Sequence, residues 1–480
     1  MGNRQRIGLI LGPVLFLLML LLPRPEGMDP AAQAVAAVAL LMTVWWITEA
    51  IPIPITALLP LGLFPALNAV PAPTVSSAYA NHLIFLFLGG FLIAIAMERW
   101  ELHRRIALHI VRLVGGSANG ILLGFMLATA FLSMWISNTA TVMMMLPIAL
   151  AVAHQAETSM GHTDDTPFPF GIALMLGIAY AGSIGGIATL IGTPPNAILA
   201  GVYEQNYGAT ILFVDWMLFA LPLSVLMLGM VWLYLSRRVY GGPQGALPGG
   251  RELVSRQLVD LGPMTAEEKK VLVVFVLVAL AWISHGFIDL PALDLVSDST
   301  IAILGGIALF LIPAQRGSGR FLLDWSTAVK LPWDIILLFG GGFALAAGFQ
   351  HTGLTAWMGE QLTLLTGVHM LFMVLAVTAL VVFLTEVTSN TATASLMLPI
   401  MGALAAAAQL HPLSLMAPAA LAASCAFMLP VATPPNAIVY SSRYVPILTM
   451  AKTGFWVNLF AIGILTLFVM VWMPRVLLGV

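Results

Sequence analysis

The chain has 480 residues, of which 60% are apolar and only 8% charged, with 19 basic against 21 acidic side chains. A soluble domain carries roughly 25% charged residues, so this composition excludes one; the small, balanced charge also excludes a disordered segment or a nucleic-acid binder. A single cysteine, Cys425, excludes a disulfide framework and a cysteine metal cluster.

The apolar stretches are continuous, as in Ile7–Leu22 and Val271–Ile283, which indicates membrane helices and not the alternating strands of a barrel. A spanning helix needs about 20 mostly apolar residues. By that measure helices are predicted over 7–22, 31–49, 55–66, 83–98, 170–201, 213–236, 270–288, 299–313, 333–350, 412–441 and 454–474. The first has features of a secretory leader, with Arg4 and Arg6 before it and Ala32-Gln33-Ala34 beyond it. Pro23, Pro25, Glu26 and Asp29 follow it, and then another apolar helix begins at once, which favours a retained helix.

Two long apolar segments, 119–151 and 370–408, are left over. Each is interrupted by polar residues and is long enough to enter the membrane and turn back. Seventeen of the nineteen Lys and Arg residues cluster in alternate loops. These are Arg4 and Arg6; Arg99, Arg104, Arg105 and Arg112; Arg237, Arg238, Arg251, Arg256, Lys269 and Lys270; Arg316, Arg320 and Lys330; and Arg443 and Lys452. By the positive-inside rule the N-terminus is then cytoplasmic and the C-terminus external, with eleven crossings. This holds only if the two interrupted segments are non-crossing hairpins, the first opening to the cytoplasm and the second to the outside. The stretch 237–270, with GGPQGALPGG, reads as a flexible cytoplasmic linker.

The chain repeats itself. SNTATVMMMLPI (Ser137–Ile148) matches SNTATASLMLPI (Ser389–Ile400) at nine of twelve positions, and TPPNAI (Thr193–Ile198) recurs unchanged at Thr433–Ile438. LFLGGF (Leu86–Phe91) is echoed by LFGGGF (Leu338–Phe343). Five crossings separate the hairpins, so the halves have opposite orientations. An inverted repeat with broken helices points to a secondary transporter whose site lies where the halves meet.

Ser137-Asn138-Thr139 interrupts an apolar segment and precedes a helical run. Ser, Asn and Thr favour helix N-caps, so a helix starts here with its free N–H groups inside the membrane, an anion site. Ser389-Asn390-Thr391 supplies the second copy, and Ser133 and Thr385 lie one turn before each motif. In Thr193-Pro194-Pro195-Asn196 and Thr433-Pro434-Pro435-Asn436 each proline frees the carbonyl four residues back. Those would be Leu190 and Ile191 in one half, Pro430 and Val431 in the other. Bare carbonyls in a membrane must line a cavity or bind something, and such hard oxygens suit Na⁺. Gly192 and Ala432 offer little side chain to block access.

No Lys or Arg lies between Arg112 and Arg237 or between Lys330 and Arg443, the intervals that contain all four motifs. The expectation is therefore a site without cationic side chains, where helix ends, amides, hydroxyls and co-bound cations meet an anion's charge. Glu386 is open to two readings, a structural bond within the second hairpin or a part in coupling, because an intramembrane carboxylate is functional by default but the first half has Met134 there. Glu49 is expected to bond backbone at the proline-broken end of its helix. His82, His285, His351, His369 and His411 are expected near helix ends, and Met143–Met145 to serve packing.

At these residues the chain resembles the divalent anion/sodium symporter family, also called the INDY family. The resemblance spans nearly the whole chain, and its paired SNT and TPPN signatures are highly specific. It implies an all-α polytopic membrane protein with eleven transmembrane helices plus two re-entrant hairpins, an inverted-topology repeat and an elevator mechanism, in a homodimer. It divides the chain into scaffold helices over 1–118, a transport-domain hairpin and broken helix over 119–201, linking and scaffold helices over 202–369, a second transport-domain hairpin and broken helix over 370–441, and a last helix over 442–480. Carried onto this sequence, one Na⁺ site uses Ser133, Ser137, Asn138 and Gly192, and a second uses Thr385, Ser389, Asn390 and Ala432. Substrate carboxylates meet Asn138, Thr139, Thr193, Pro194, Ser389, Asn390, Thr391, Thr433 and Pro434.

The leading expectation is Na⁺-coupled symport of a C4-dicarboxylate such as succinate across a cell membrane, without catalysis. The same fold carrying sulfate or citrate, or exchanging anions without sodium, is the nearest alternative. An intramembrane enzyme lacks a base beside Ser137 or Ser389, and a passive anion channel would not need two opposed hairpins. No N-x-S/T sequon occurs, which suits a bacterial inner membrane.

Overall fold

The computed structural model describes residues 2–159, 168–241, 250–288, 295–315, 319–361 and 367–478. Among them the regular structure is helical, with one isolated bridge between Pro313 and Phe321. The helices of the first half are α1 (Asn3–Leu21), α2 (Pro30–Thr48), α3 (Ile53–Thr56), α4 (Leu59–Ala66), α5 (Ala72–Ala78), α6 (His82–Arg99), α7 (Leu102–Val114), α8 (Ala118–Ser133), α9 (Asn138–Ser159), α10 (Pro169–Ile187), α11 (Pro194–Tyr207) and α12 (Phe213–Tyr234). Those of the second are α13 (Gly250–Asp260), α14 (Ala266–His285), α15 (Asp298–Leu311), α16 (Trp325–Ala328), α17 (Trp333–His351), α18 (Leu354–Gln361), α19 (Met370–Thr385), α20 (Asn390–Ala407), α21 (Leu413–Ala423), α22 (Pro434–Ser441) and α23 (Ile447–Val476).

Nine helical stretches among the described residues are long and apolar enough to cross a membrane. They include α9 and α20, the second arms of the two interrupted segments, while 53–66, 298–311 and 413–423 form shorter apolar helices. The predicted spans 170–201 and 412–441 are not single helices. Each is broken in two, at 188–193 and 424–433, and the proline pair opens the second piece. Proline fits the first turn of a helix because no N–H is needed there.

Two stretches read as loop or linker are packed helices. The basic stretch after Arg99 forms α7, with Leu102, Leu108 and Val111 buried. The linker carries α13, which packs on α7 and α9. A buried Arg105–Glu268 ion pair at 3.1 Å, with Arg105 also donating to the Gly262 carbonyl at 2.9 Å, ties α7 to the start of α14. Helical patterns this short were masked by their arginine content. Most of GGPQGALPGG, Arg316 and the side chain of Arg251 lie outside the described residues. At the N-terminus, α1 lies along α2. Gly8 and Gly12 let it approach Thr48 and Trp45 closely, and the Trp45 indole donates to the Gly8 carbonyl at 3.1 Å.

The halves interlock reciprocally. α11 of the first packs on α20 and α21 of the second, and α22 of the second packs on α9 and α10 of the first. Repeat-related residues meet: Phe87 of LFLGGF and Phe339 of LFGGGF stand edge to face with centroids 4.7 Å apart. Gly89 touches the Ala302 backbone and its counterpart Gly341 the Ala57 backbone, contacts too close for a Cβ. This arrangement brings all four repeated motifs to one place.

Candidate functional site

Each SNT motif sits in a short turn between two helices. Ser137 ends the turn after α8, and its hydroxyl accepts from the Ala140 N–H at 3.2 Å, capping α9. Ser389 holds the matching N-cap position of α20 without a side-chain cap bond. Behind these turns lie two similar oxygen clusters. The Ser133 hydroxyl donates to the Gly182 carbonyl at 2.7 Å, and the Thr385 hydroxyl lies 2.9 Å from the Ala423 carbonyl and 2.8 Å from Asn390 Oδ1.

The Asn138 amide shows what such a cluster favours. One end of it stands 2.5 Å from Ser133 Oγ and 3.2 Å from each of the Gly182 and Gly192 carbonyl oxygens. All three neighbours are oxygens. An amide nitrogen turned toward them donates to the carbonyls. An amide oxygen turned toward them makes a convergence of four oxygens with one hydroxyl proton among them, the donor set a hard cation takes. The residues present therefore fit Na⁺. Gly186 borders the cluster, where a Cβ would lie 2.7 Å from Asn138 Oδ1 and 3.0 Å from the Gly192 carbonyl oxygen.

The helix breaks are held differently from expectation. Because the prolines open α11 and α22, they displace no carbonyl of Leu190, Ile191, Pro430 or Val431 from a continuous helix. The two TPPN asparagines do the holding: Asn196 Nδ2 donates to the carbonyls of Gly186, Ile187 and Thr189 at 3.2, 3.1 and 2.8 Å, and Asn436 Nδ2 to those of Ala426 and Leu429 at 3.0 and 3.1 Å. In the second break Glu386 adds an anchor. Its carboxylate accepts from the N–H groups of Phe427, Met428 and Leu429 at 2.7, 2.9 and 3.1 Å and from Asn458 Nδ2 at 2.7 Å. Of its two readings the structural one fits these bonds. In the first half, where Met134 takes the place of Glu386, the Thr189 hydroxyl donates to the Met134 carbonyl at 2.6 Å and ties the break to the hairpin turn.

The four motifs line one cavity of about 620 Å³. Ser137, Asn138, Thr139, Gly192, Thr193, Pro194, Ser389, Asn390, Thr391, Ala432, Thr433 and Pro434 all face it, and Ser133 and Thr385 are buried directly behind. Four helices, α9, α11, α20 and α22, therefore point their N-termini at the same space. At roughly +0.5 each, they present about two positive charges to an occupant.

Several lining groups were not expected from the sequence. Phe87 and Phe91 belong to LFLGGF and Thr388 adjoins Ser389, which was their signal; Ser183 lies in none of the repeated motifs and had none. The carbonyls of Gly182 and Ala423 had none, because any residue carries one. Two expectations are corrected. The site does contain a cationic side chain, Arg4, brought from the N-terminus by the packing of α1 on α2. Among the described residues no backbone group bonds the Glu49 carboxylate. Glu49 ends α2 in a left-handed conformation, φ 50°, and its side chain lines the cavity together with Asp334. The five histidines do fall at helix ends. His82 bonds Glu204 at 2.7 Å and Ser299 at 3.1 Å, His285 bonds Asp298 at 3.0 Å, and His411 lies 3.3 Å from the Tyr203 hydroxyl. His351 closes α17 and His369 caps α19.

Residues 4–478 match the family model described as the sodium:sulfate symporter transmembrane region. The chain is 49% identical over 479 residues to the sodium-dependent dicarboxylate transporter SdcS of Staphylococcus saprophyticus, and 50% identical over 478 residues to SdcS of Staphylococcus aureus. Both matches cover 98% of this chain and 92% of the relative. Among solved structures, the YdaH transporter of Alcanivorax borkumensis superposes with a TM-score of 0.61 at 13% identity, over 91% of this chain and 98% of that one. The antimetabolite efflux pump MtrF of Neisseria gonorrhoeae gives 0.57 at 12%, over 98% and 95%. At these identities the two structures speak for the fold alone.

Proposed function

The chain belongs to the sodium:sulfate symporter family, and from that premise we propose that it is a secondary active transporter that carries a C4-dicarboxylate such as succinate together with Na⁺. The observation that carries this reading is the cavity onto which four helix N-termini converge, with an oxygen cluster behind each SNT turn. About two positive charges from the helix ends match a dianion, and bound Na⁺ adds to them. The names of the SdcS relatives, sodium-dependent dicarboxylate transporters at about half identity over nearly the full chain, favour a carboxylate over sulfate. Both SNT triplets are intact, which also favours symport over sodium-independent exchange.

In this reading Na⁺ enters first, at the clusters of Ser133, Ser137, Asn138 and Gly192 and of Thr385, Ser389, Asn390 and Ala432. The carbonyls of Gly182 and Ala423 complete them. Each ion lowers the cost of bringing a carboxylate to Asn138, Thr139 and Thr193 or to Asn390, Thr391 and Thr433. The chain crosses a bacterial inner membrane eleven times with its N-terminus in the cytoplasm, its SNT segments are re-entrant hairpins, and the parts 119–201 and 370–441 move as a transport domain against the scaffold of a homodimer. The reciprocal packing of the halves supports this scheme.

Purified protein in proteoliposomes tests the reading. An inward Na⁺ gradient should drive succinate above its equilibrium level, and K⁺ should not replace Na⁺. Succinate that only equilibrates, or accumulates equally in K⁺, refutes it; preferential accumulation of sulfate or citrate refutes the substrate class while keeping the coupling.

A further inference from the structure

Arg4 is the one cationic side chain among the described residues that line the cavity. It stands in the first turn of α1, and its guanidinium donates to the Val387 carbonyl at 2.8 Å and to the carbonyl of Ile47. Val387 lies in the turn that leads into Ser389, and Ile47 in the last turn of α2. Arg4 forms no ion pair with a described residue, although the carboxylates of Glu49 and Asp334 line the same cavity. Two neutral carbonyls therefore hold the guanidinium in place and leave its charge uncancelled by contact. Counting side chains alone, the cavity carries one positive and two negative charges; without Arg4 it carries two negative. Those carboxylates attract Na⁺ and repel a dianion.

We infer that Arg4 is the anion-steering residue of the cavity, fixed to its wall by the Val387 and Ile47 carbonyls, where it offsets Glu49 and Asp334 so that a dianion can enter. The inference rests on the dianion reading above and adds a residue that neither half's repeat contains. It also gives the effect of Arg4 a sign: its charge favours the anion and disfavours the cation.

The test uses the full chain in proteoliposomes, comparing wild type with Arg4→Lys, Arg4→Gln and Asp334→Asn. Na⁺-driven succinate uptake is titrated at fixed Na⁺ while an inert salt raises the ionic strength from about 0.01 M to about 0.15 M. This shortens the Debye length from about 30 Å to about 8 Å. A unit charge at about that shorter distance from a dianion in water changes its affinity roughly two- to five-fold. Arg4→Gln should raise the half-saturating succinate concentration by that factor at low ionic strength, with the gap narrowing as salt is added. It should also lower the half-saturating Na⁺. Arg4→Lys, which keeps the charge, should track wild type, and Asp334→Asn should lower the half-saturating succinate. If Arg4→Gln reaches the bilayer misfolded, Asp334→Asn still reads the same charge balance, and no shift there overturns the inference. A salt-independent defect in Arg4→Gln, or equal defects in Lys and Gln, would make Arg4 a mere strap between α2 and the turn. Absence of Na⁺-driven uptake by wild type overturns the dianion reading itself; wild-type uptake that Arg4→Gln leaves unchanged overturns the role of Arg4 alone.

Discussion

Removing the Ser133 hydroxyl asks whether the cluster behind the first SNT turn holds Na⁺. The side chain is fully buried and does not reach the cavity, so Ser133→Ala takes nothing directly from the substrate. It takes one oxygen from a set in which Ser133 Oγ stands 2.7 Å from the Gly182 carbonyl and 2.5 Å from one end of the Asn138 amide. Losing one buried polar interaction costs about 1–3 kcal/mol, and about 1.4 kcal/mol is tenfold in affinity. The Na⁺ concentration for half-maximal uptake should therefore rise roughly five- to a hundred-fold. Coupling between sites is reciprocal, so saturating Na⁺ should restore most of the substrate affinity. The repeat supplies the control. Thr385 occupies the matching position and makes the same contacts through its hydroxyl, so Ser133→Thr should keep a Na⁺ curve close to wild type. The assay is succinate uptake into proteoliposomes titrated in both Na⁺ and substrate. If Ser133→Ala keeps the wild-type Na⁺ curve and loses only substrate affinity, the cluster is not a sodium site.

Thr139 lies further into the α9 N-terminus and faces the cavity, so Thr139→Ala should weaken substrate affinity even at saturating Na⁺, in the same two-way titration. Gly186→Ala places a Cβ 2.7 Å from Asn138 Oδ1 and should raise the Na⁺ requirement about tenfold or more; Gly229→Ala, in open space, should not, and equal behaviour of the two would contradict the crowding argument. Glu386→Gln replaces an acceptor of four N–H bonds by a group that presents N–H itself, so thermal unfolding in detergent should report a loss of about 1–3 kcal/mol. An unchanged melting curve with a shifted Na⁺ dependence would return Glu386 to a coupling role. For orientation, single cysteines at exposed Gln205 and Arg256, with the buried Cys425 replaced, should react with an impermeant reagent in intact cells at 205 and not at 256; the reverse pattern would overturn the inverted scheme.

The amino-acid sequence by itself determined whatever is written in neighbouring residues. Apolar runs located the helices, Ser-Asn-Thr marked where α9 and α20 begin, and each double proline marked where α11 and α22 begin. These are short-range effects of capping and of a missing N–H, and their duplication made them legible in one chain. The tertiary structure decided the rest. Glu386 has no counterpart in the other repeat, and only the fold brought it to Phe427, Met428 and Leu429. The carbonyls of Gly182 and Ala423 joined the oxygen clusters through backbone atoms that every residue possesses and no sequence pattern distinguishes. Arg4 reached Val387 across 383 positions, because close packing of Gly8 and Gly12 on α2 set where the first turn of α1 ends up. Contacts of that kind depend on how helices pack against one another, and packing is a property of surfaces that no local stretch of sequence carries alone.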